Sequence, residues 1–212
     1  MRKAQGLFYE FPQLGVNFRP ITKCGATTMM LHLISLEEGM STSSIVGDVS
    51  RNNIHKFLNP FAKKYQRSLT SVNDNNFKSF ALVRNPYKRF ISMYTDLVLK
   101  RPARGQKAKI PANCSIKDFA IWLKDLEPKK SDIHLQEQNV FLINGITEEK
   151  YVRDLITIDL DSMKENWPFE FKPPAFRAHV SATEKIELDD VTRNIVYQIY
   201  KKDFDLLGYE VV

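Results

Sequence analysis

Apolar and polar residues in the first third of the chain form blocks that predict one strand and one helix. Residues 15–22 form a short run typical of a strand, and Pro20 indicates that this strand is irregular or lies near the edge of a sheet. Residues 29–36 are apolar almost throughout and predict a buried helix that ends near Gly39. Residues 41–76 are mostly polar, so we expect a loop with a short helix there.

A second strand followed by a helix is predicted in the middle of the chain. Residues 77–83 predict a central strand. Asn85 and Pro86 suit the cap and the first turn of a helix, because Asn accepts bonds from exposed N–H groups and Pro lacks its own N–H. Apolar residues then recur at the helical period. They are Phe90, Ile91, Tyr94, Leu97 and Val98.

The rest of the chain continues the alternation of helices and strands. Ser115 and Asp118 have the spacing of a capping box and predict a helix that runs to about Leu126. The other predicted elements are a basic loop over residues 101–114, a helix over 133–143, a strand over 151–160, a loop over 166–186 and a closing helix over 190–204.

This order of elements predicts an α/β fold. We expect a single domain over residues 1–212, with a central parallel sheet flanked by helices. Ligands of such folds bind at the carboxyl ends of the strands. Lys23 and Arg84 each follow a predicted strand, so both are candidates for contacts with a ligand.

The composition is that of an ordinary globular protein, with 43% hydrophobic and 26% charged residues. No apolar run approaches the roughly 20 residues of a membrane span, and no apolar segment of a secretory signal follows the first residues. We therefore expect a cytoplasmic protein, or a luminal domain that lacks its anchor. Two cysteines do not make a disulfide framework, so Cys24 and Cys114 are expected to be free thiols. The histidines lack the spacing of metal ligands, so no metal site is expected.

Positive charge is concentrated in one segment of the chain. Residues 51–117 contain 15 Lys and Arg but only two acids, Asp74 and Asp96, which gives a formal charge of +13. The remaining residues carry −7, so the chain as a whole carries +6. Such a field favours a polyanion, a phosphorylated ligand or both, although a solvated basic face is the simpler explanation.

A loop of small residues connects the first predicted strand to its helix. Gly25 lets the chain approach a phosphate closely, Lys23 supplies a mobile positive charge, and N–H groups at the helix start attract anions. Loops that bind nucleoside triphosphates place the lysine after the glycine, whereas here it precedes the glycine. The alternative is a capped helix with a solvated lysine. The loop consists of Lys23, Cys24, Gly25, Ala26, Thr27 and Thr28.

A second candidate binding segment covers residues 84–94, from Arg84 through Asn85, Pro86 and the predicted helix. The planar guanidinium of Arg84 can bind a phosphate through two hydrogen bonds. Ser92 lies two turns into the helix and could complete the contact. Lys88 is expected to be an ordinary surface charge.

Together these segments make the chain similar to sulfotransferases that use 3′-phosphoadenosine-5′-phosphosulfate (PAPS), and most similar to the branch with the Golgi carbohydrate enzymes. That family has a loop of the type Lys-x-Gly/Ala-x-Thr, here residues 23–27. It also has a segment Arg-[Asp/Glu/His]-Pro-x-x-Arg-x-x-Ser-x-Tyr, here residues 84–94, with Asn85 at the variable position. Three weaker similarities follow in order, at residues 134–138, 178–183 and 200–209, and in the second of them Ser181 stands where Asn is common.

The resemblance covers residues 15–209 and implies a P-loop-like sulfotransferase fold. It implies that the loop from Lys23 to Thr28 holds the phosphosulfate of PAPS. It likewise implies that Arg84 and Ser92 bind the 3′-phosphate, and that Lys23 stabilises the charge that develops as the sulfuryl group leaves. The acceptor that it implies is a hydroxyl group on a carbohydrate, with an anionic glycan as one candidate.

The acceptor hydroxyl needs a general base, and the sequence leaves several candidates open. Relatives place a His or Glu after the first helix, and His55 occupies that segment. The competitors are Asp48, Glu37, Glu38 and His134, of which His134 better suits positioning or packing. His32, inside an apolar helix, is expected to be a core residue. The basic residues 100–109 are either a guide for an anionic acceptor or a plain surface loop.

Other functions remain as alternatives. A kinase-like phosphotransferase would need a lysine after the glycine of the loop, which is missing. A nucleic-acid binder would fit the isoelectric point of about 9.2, but the basic segment has no stacking aromatic pair and no known binding motif, so no nucleic-acid partner is expected. A relative that binds the nucleotide without turnover is the third alternative.

Overall fold

The computed structural model describes residues 7–41, 54–126, 132–143, 150–152, 154–175 and 186–211. Asp48, His179 and Ser181 lie outside the described residues. The chain consists of two compact units. Unit 1 contains residues 1–83 and 140–180, and unit 2 contains residues 84–139 and 181–212. A single domain over residues 1–212 stays a prediction.

Unit 1 contains a sheet, which has five strands among the described residues. The strands follow the order β3-β1-β2-β4-β5 across the sheet. β2, β4 and β5 are parallel, as the sequence predicts, and the α/β class is confirmed. The parallel strands form the centre of a mixed sheet, because β1 pairs antiparallel with both β2 and β3. The strands are β1 (Phe8–Phe11), β2 (Val16–Arg19), β3 (Gln66–Arg67), β4 (Lys78–Val83) and β5 (Ile156–Asp159).

The register of the parallel strands brings two carboxyl ends to one edge of the sheet. Arg19 at the end of β2 pairs with Ala81 of β4, two residues before β4 ends. β5 pairs with β4 on the side opposite β2. The N–H of Leu160, just after β5, extends this pairing because it donates to the carbonyl of Val83 at 2.8 Å. All residues of β4 except the first are buried, as expected for a central strand covered on both faces.

The helices in the first part of unit 1 differ from the predicted ones in length or in place. The buried helix expected over residues 29–36 is α1, which begins three residues earlier, at Ala26. Residues 41–76, predicted as a loop with a short helix, contain two helices in their described part, and the longer one has apolar residues at positions 57, 58, 61 and 65. Pro60 lies inside it and obscures the helical pattern. The helices are α1 (Ala26–Glu37), α2 (Ile54–Tyr65) and α3 (Leu69–Asn73).

Aromatic side chains fill the core of unit 1. Phe18 and Phe80 from neighbouring strands have ring centroids 5.0 Å apart. Residues 166–175, the described part of the predicted loop, bring Trp167 and Phe169 onto Phe80, with centroid distances of 5.9 and 4.8 Å. The segment that the sequence predicts as a loop is therefore a packed cover of the sheet.

Arg19 is buried at the end of β2 and is 1% exposed. Its Nε donates to the carbonyl of Phe141 at 2.9 Å, and its guanidinium lies over the rings of Phe8, Phe141 and Tyr151. Burial lowers the pKa of Arg19 to about 10, so the side chain remains charged at neutral pH. Cation–π contacts and carbonyl acceptors replace the water that this cation loses.

Unit 2 is helical in its described part, and two predictions fail there. The predicted basic loop over residues 101–114 contains a helix, which Pro102 begins. The helix predicted over residues 133–143 is reduced to four residues, and residues 132–138 form turns instead. The helices of this part of the chain are α4 (Pro86–Tyr94), a π-helix (Thr95–Lys100), α5 (Pro102–Lys107), α6 (Ile116–Lys124), α7 (Asn139–Leu142), which begins at the end of unit 2, and α8 (Asp190–Leu207).

The predicted caps of unit 2 are confirmed. Ser115 and Asp118 form the reciprocal capping box of α6. α4, α6 and α8 pack around a common core that includes Phe90, Phe119 and Phe204. None of the described helices has the length and apolar character needed to cross a membrane.

Candidate functional site

The loop after β2 has a left-handed backbone at two positions. Lys23 has a φ of 67° and Gly25 a φ of 77°. Cys24 between them is fully buried, and its N–H donates to the carbonyl of Ile21 at 3.3 Å. A lysine rarely adopts a positive φ, which costs about 1 to 2 kcal/mol in an L residue. The fold therefore holds Lys23 in an unfavourable conformation at the carboxyl end of β2, which is common at functional sites.

Gly25 is the cap residue of α1 and packs closely against the side chain of Leu160. A Cβ at this position would lie 2.8 Å from Cδ1 of Leu160. The positive φ and the tight packing both require glycine there. The sequence predicts this glycine as a site of close approach, and the close neighbour in the structure is a leucine side chain that follows β5.

The N-terminus of α1 lacks both a side-chain cap and an acidic residue in its first turn. Ala26 opens the helix, and Thr27 and Thr28 follow, all three half-buried. The first N–H groups of a helix have no partners within the helix, and the helix dipole places partial positive charge there. This end of α1, preceded by Lys23, has the chemistry of an anion-binding site.

Arg84 directly follows the last residue of β4 and is half-buried. Its Nε is buried and, among the described residues, has no hydrogen-bond acceptor. A buried N–H of a guanidinium without an acceptor is costly, and such groups are rare in folded proteins. A phosphate oxygen is an acceptor of the kind that this donor requires. The residues present therefore fit a phosphorylated ligand.

Asn85 and Ser92 lie on the same helix, α4. Oδ1 of Asn85 accepts the N–H of Tyr87 at 3.0 Å and the N–H of Lys88 at 3.4 Å, so it caps the helix. Asn85 differs from the acid or histidine common in the similar family, but its oxygen still serves as a cap. Ser92 is half-buried in the second turn. Lys88 is exposed, as the sequence predicts.

Two of the carboxylates considered as general bases accept hydrogen bonds from other residues in the structure. Glu37 is 5% exposed, and its two oxygens accept the N–H groups of Gln13 at 3.0 Å and Leu14 at 3.2 Å. Glu38 accepts hydrogen bonds from Lys64 and Tyr65, and these bonds lower the pKa of its carboxyl group. Both oxygens of Glu37 are occupied by backbone donors, and the hydrogen bonds to Glu38 make it a weaker base, so neither residue suits proton removal.

The histidines occupy different settings. His32 is a core residue, as predicted, and its Nε2 lies 2.8 Å from the carbonyl of Lys172. Nδ1 of His134 lies 2.6 Å from Oδ1 of Asp132, and the guanidinium of Arg104 lies 3.0 Å from Nε2 of the same ring. His134 is thus part of a half-buried polar cluster. The backbone of His55 belongs to α2, and its side chain is not described.

Gln138 is a residue of the site that the sequence did not identify, although it belongs to the segment similar to the family. Its carboxamide bonds both backbone groups of Arg84, at 2.9 and 2.8 Å. No pattern of apolar residues signals such a contact, because it joins positions 54 residues apart. In the described part of the chain, no group of three or more His, Cys, Asp or Glu side chains could hold a metal ion.

Comparison with known proteins gives one match. The model of a family described as "Sulfotransferase family" matches residues 8–210, nearly the whole chain. No curated protein and no solved structure matches the chain significantly.

Proposed function

The chain belongs to the sulfotransferase family, and from this premise we propose that it transfers the sulfuryl group of PAPS to a hydroxyl group on a carbohydrate. We also propose that the chain is related to the branch of this family that contains the Golgi carbohydrate enzymes. The proposal assigns the phosphosulfate to the loop from Lys23 to Thr28 and the 3′-phosphate to Arg84 and Ser92.

The observation that carries the proposal is the buried Nε of Arg84, for which the described residues offer no acceptor. Arg84 follows β4, and β4 is the parallel neighbour of β2, the strand that leads into the loop of Lys23. Parallel strands present their carboxyl ends at the same edge of a sheet, where ligands of α/β folds bind. Two anion-binding segments that follow neighbouring strands suit a ligand with two phosphate groups, such as PAPS.

Each binding residue has a distinct role in this proposal. The ammonium group of Lys23 and the N–H groups at the start of α1 stabilise the negative charge that develops on the oxygen of the leaving group. Gly25 keeps the backbone close to the bound group. Arg84 and Ser92 bind the 3′-phosphate and so distinguish PAPS from nucleotides that lack it.

Sulfuryl transfer is an in-line displacement, similar to phosphoryl transfer. The oxygen of the acceptor hydroxyl forms a bond to sulfur, and the bond from sulfur to the 5′-phosphate oxygen breaks. The product 3′-phosphoadenosine-5′-phosphate (PAP) departs with the electron pair of that bond. The hydroxyl proton passes to a base on the protein, which we propose is His55, because His55 lies in the segment where relatives place a His or Glu. Glu37 and Glu38 have other partners, which supports this choice.

Calorimetric titration with PAP tests the donor site. We expect PAP to bind without magnesium and to bind more tightly than adenosine 5′-phosphate. Arg84→Ala should lower the affinity for PAP at least tenfold and leave the affinity for adenosine 5′-phosphate nearly unchanged. Lys88→Ala, an exposed cation of the same segment, is the matched control. Equal affinities of the wild-type protein for the two nucleotides, or magnesium-dependent binding of ATP in their place, would contradict the proposal.

Transfer from labelled PAPS tests the acceptor. The segment over residues 51–117 carries +13, which favours an anionic glycan over a neutral one through electrostatic attraction. We expect sulfated or carboxylated glycans to be better acceptors than neutral glycans of the same length, with a difference that shrinks at high salt. Salt-dependent binding of DNA without any transfer to glycans would favour a nucleic-acid binder instead.

A further inference from the structure

The carboxamide of Gln138 holds the main chain at Arg84. Oε1 accepts the N–H of Arg84 at 2.9 Å, and Nε2 donates to the carbonyl oxygen of Arg84 at 2.8 Å. Gln138 is fully buried. Arg84 lies between the end of β4 and the cap of α4, in neither a strand nor a helix. The glutamine therefore supplies the hydrogen bonds that regular structure would otherwise give this residue.

Asp203 in turn holds Gln138. Oδ2 of Asp203 accepts the N–H of Gln138 at 2.8 Å, and Oδ1 accepts the N–H of Asn139 at 2.7 Å. The amide side chain of Asn139 adds a third bond to the same carboxylate at 3.1 Å. Asp203 lies on α8, 64 residues further along the chain, so it fixes the turn that carries Gln138 to a long helix.

The carboxylate of Asp203 is fully buried. Burial raises its pKa, while the nearby guanidinium of Arg89 and the N–H donors favour the ionised form. Arg89 is itself only 1% exposed. Apolar residues of similar volume often stabilise a core as well as such a buried charged group does. The bonds of this carboxylate fix the orientation of the turn that carries Gln138.

We propose that Gln138, held by Asp203, is a positioning residue that sets the preference of the site for a nucleotide with a 3′-phosphate. It acts through Arg84, whose backbone it fixes on both sides of the Cα atom and whose side chain is thereby aimed at the phosphate. The inference rests on the proposed function, because it assumes that Arg84 binds the 3′-phosphate. The inference goes beyond the proposed function, because it assigns the selectivity for the 3′-phosphate to a residue that does not touch the ligand.

The test compares the affinities of Gln138→Met for PAP and for adenosine 5′-phosphate by calorimetry. Methionine has a similar length and removes both bonds to Arg84. The loss of two hydrogen bonds shifts the equilibrium that holds the Arg84 backbone in place by roughly 10- to 100-fold. We expect the affinity for PAP to fall at least tenfold and the affinity for adenosine 5′-phosphate to change less than threefold. In the transfer assay, KM for PAPS should rise while kcat stays within about threefold.

Three further variants make the test specific. Gln138→Asn keeps the carboxamide but is one methylene shorter, and it should show a smaller loss of the same kind. Adding Gln138→Met to Arg84→Ala should cause no further loss, because the glutamine acts through the arginine. Thr95→Val is the matched control, since it removes another buried polar group of unit 2, whose hydroxyl has no partner among the described residues, and it should leave both affinities unchanged.

The failure of this inference differs from the failure of the proposed function. If the wild-type protein binds PAP no better than adenosine 5′-phosphate, the proposed function fails and the inference fails with it. If the wild-type protein prefers PAP but both Gln138 variants keep that preference, only the positioning role is overturned. Equal losses for the two nucleotides would also overturn it, because they would show a general effect on folding. If Gln138→Met does not fold, Gln138→Asn decides by the same comparison.

Discussion

Lys23 and Gly25 both have a left-handed backbone and stand on either side of the buried residue Cys24. The two conformations turn the chain sharply between the end of β2 and the start of α1. A turn of this kind, followed by a helix N-terminus, presents N–H groups to an anion. The lysine precedes the glycine here, in contrast to the loops that bind nucleoside triphosphates.

Gly25→Ala should destabilise the protein and weaken the binding of PAP. The new Cβ meets Leu160 at 2.8 Å and also forces alanine into a positive φ, for an expected loss of about 2 to 4 kcal/mol. Chemical unfolding and calorimetry measure the two effects. Gly15→Ala is the matched control, because it has a φ of 61° and open space around the Cβ. Gly15→Ala should lose only about 1 to 2 kcal/mol, and equal losses in both variants would argue against the close packing.

Lys23→Ala should lower kcat for sulfuryl transfer at least ~100-fold, the scale of one preorganised donor. The reason is the loss of the positive charge next to the leaving group. The control is Lys64→Ala, which removes an exposed lysine of unit 1 that pairs with Glu38. An exposed ion pair contributes little to stability, and its loss should leave turnover unchanged. Near-full turnover of Lys23→Ala would refute the assigned role.

His55→Ala should remove the rise of kcat/KM with pH that a histidine base produces near its usual pKa of about 6.5. The measurement is the pH–rate profile of transfer from PAPS between about pH 5 and 9. His134→Ala is the comparison, since His134 pairs with Asp132 and Arg104 and is expected to keep the profile. A wild-type profile in His55→Ala, together with a lost rise in His134→Ala, would transfer the role to His134.

His32 should make the stability of the protein depend on pH below neutrality. Burial lowers the pKa of His32, although the bond to the carbonyl of Lys172 opposes this shift. The unfolded chain therefore takes up a proton first as the pH falls below about 6.5, and the folded state loses stability there. Above that pH the contribution of His32 to the stability of the folded protein is complete. Urea unfolding at several pH values measures this loss.

His32→Gln provides the control for this prediction. The glutamine amide can still donate to the carbonyl of Lys172 but does not titrate. The variant should therefore lose less stability than the wild-type protein between about pH 7.5 and 5.5. The same loss in both proteins would show that other groups cause the pH dependence.

The sequence predicted those parts of the fold in which local pattern and local chemistry agree. The strand at 77–83, the cap at Asn85 and the capping box at Ser115 each depend on neighbouring residues, and all three are found in the structure. β1 and β3 were missed, because they are short and their pairing depends on residues far away in the chain. The helix predicted over residues 133–143 fails because the side chain of Asp203 draws the N–H groups of Gln138 and Asn139 into bonds outside any helix.

The same distinction applies to the candidate site. The sequence predicted the loop of Lys23 and the arginine after β4, since each follows a strand and carries its own chemistry. It did not predict the left-handed backbone of Lys23 or the hydrogen bonds of Gln138, because both depend on the packed structure. It also could not exclude Glu37 and Glu38 as bases, since their partners are more than 20 residues away.

The burial of Cys24 protects the loop between β2 and α1 from chemical modification. A thiol without exposed surface is not reached by oxidants or alkylating reagents. Cys114 is only half-buried, so such reagents reach Cys114 more easily than Cys24. Labelling of the native protein with a thiol reagent therefore offers a way to attach a probe at Cys114 without disturbing the loop that holds Lys23.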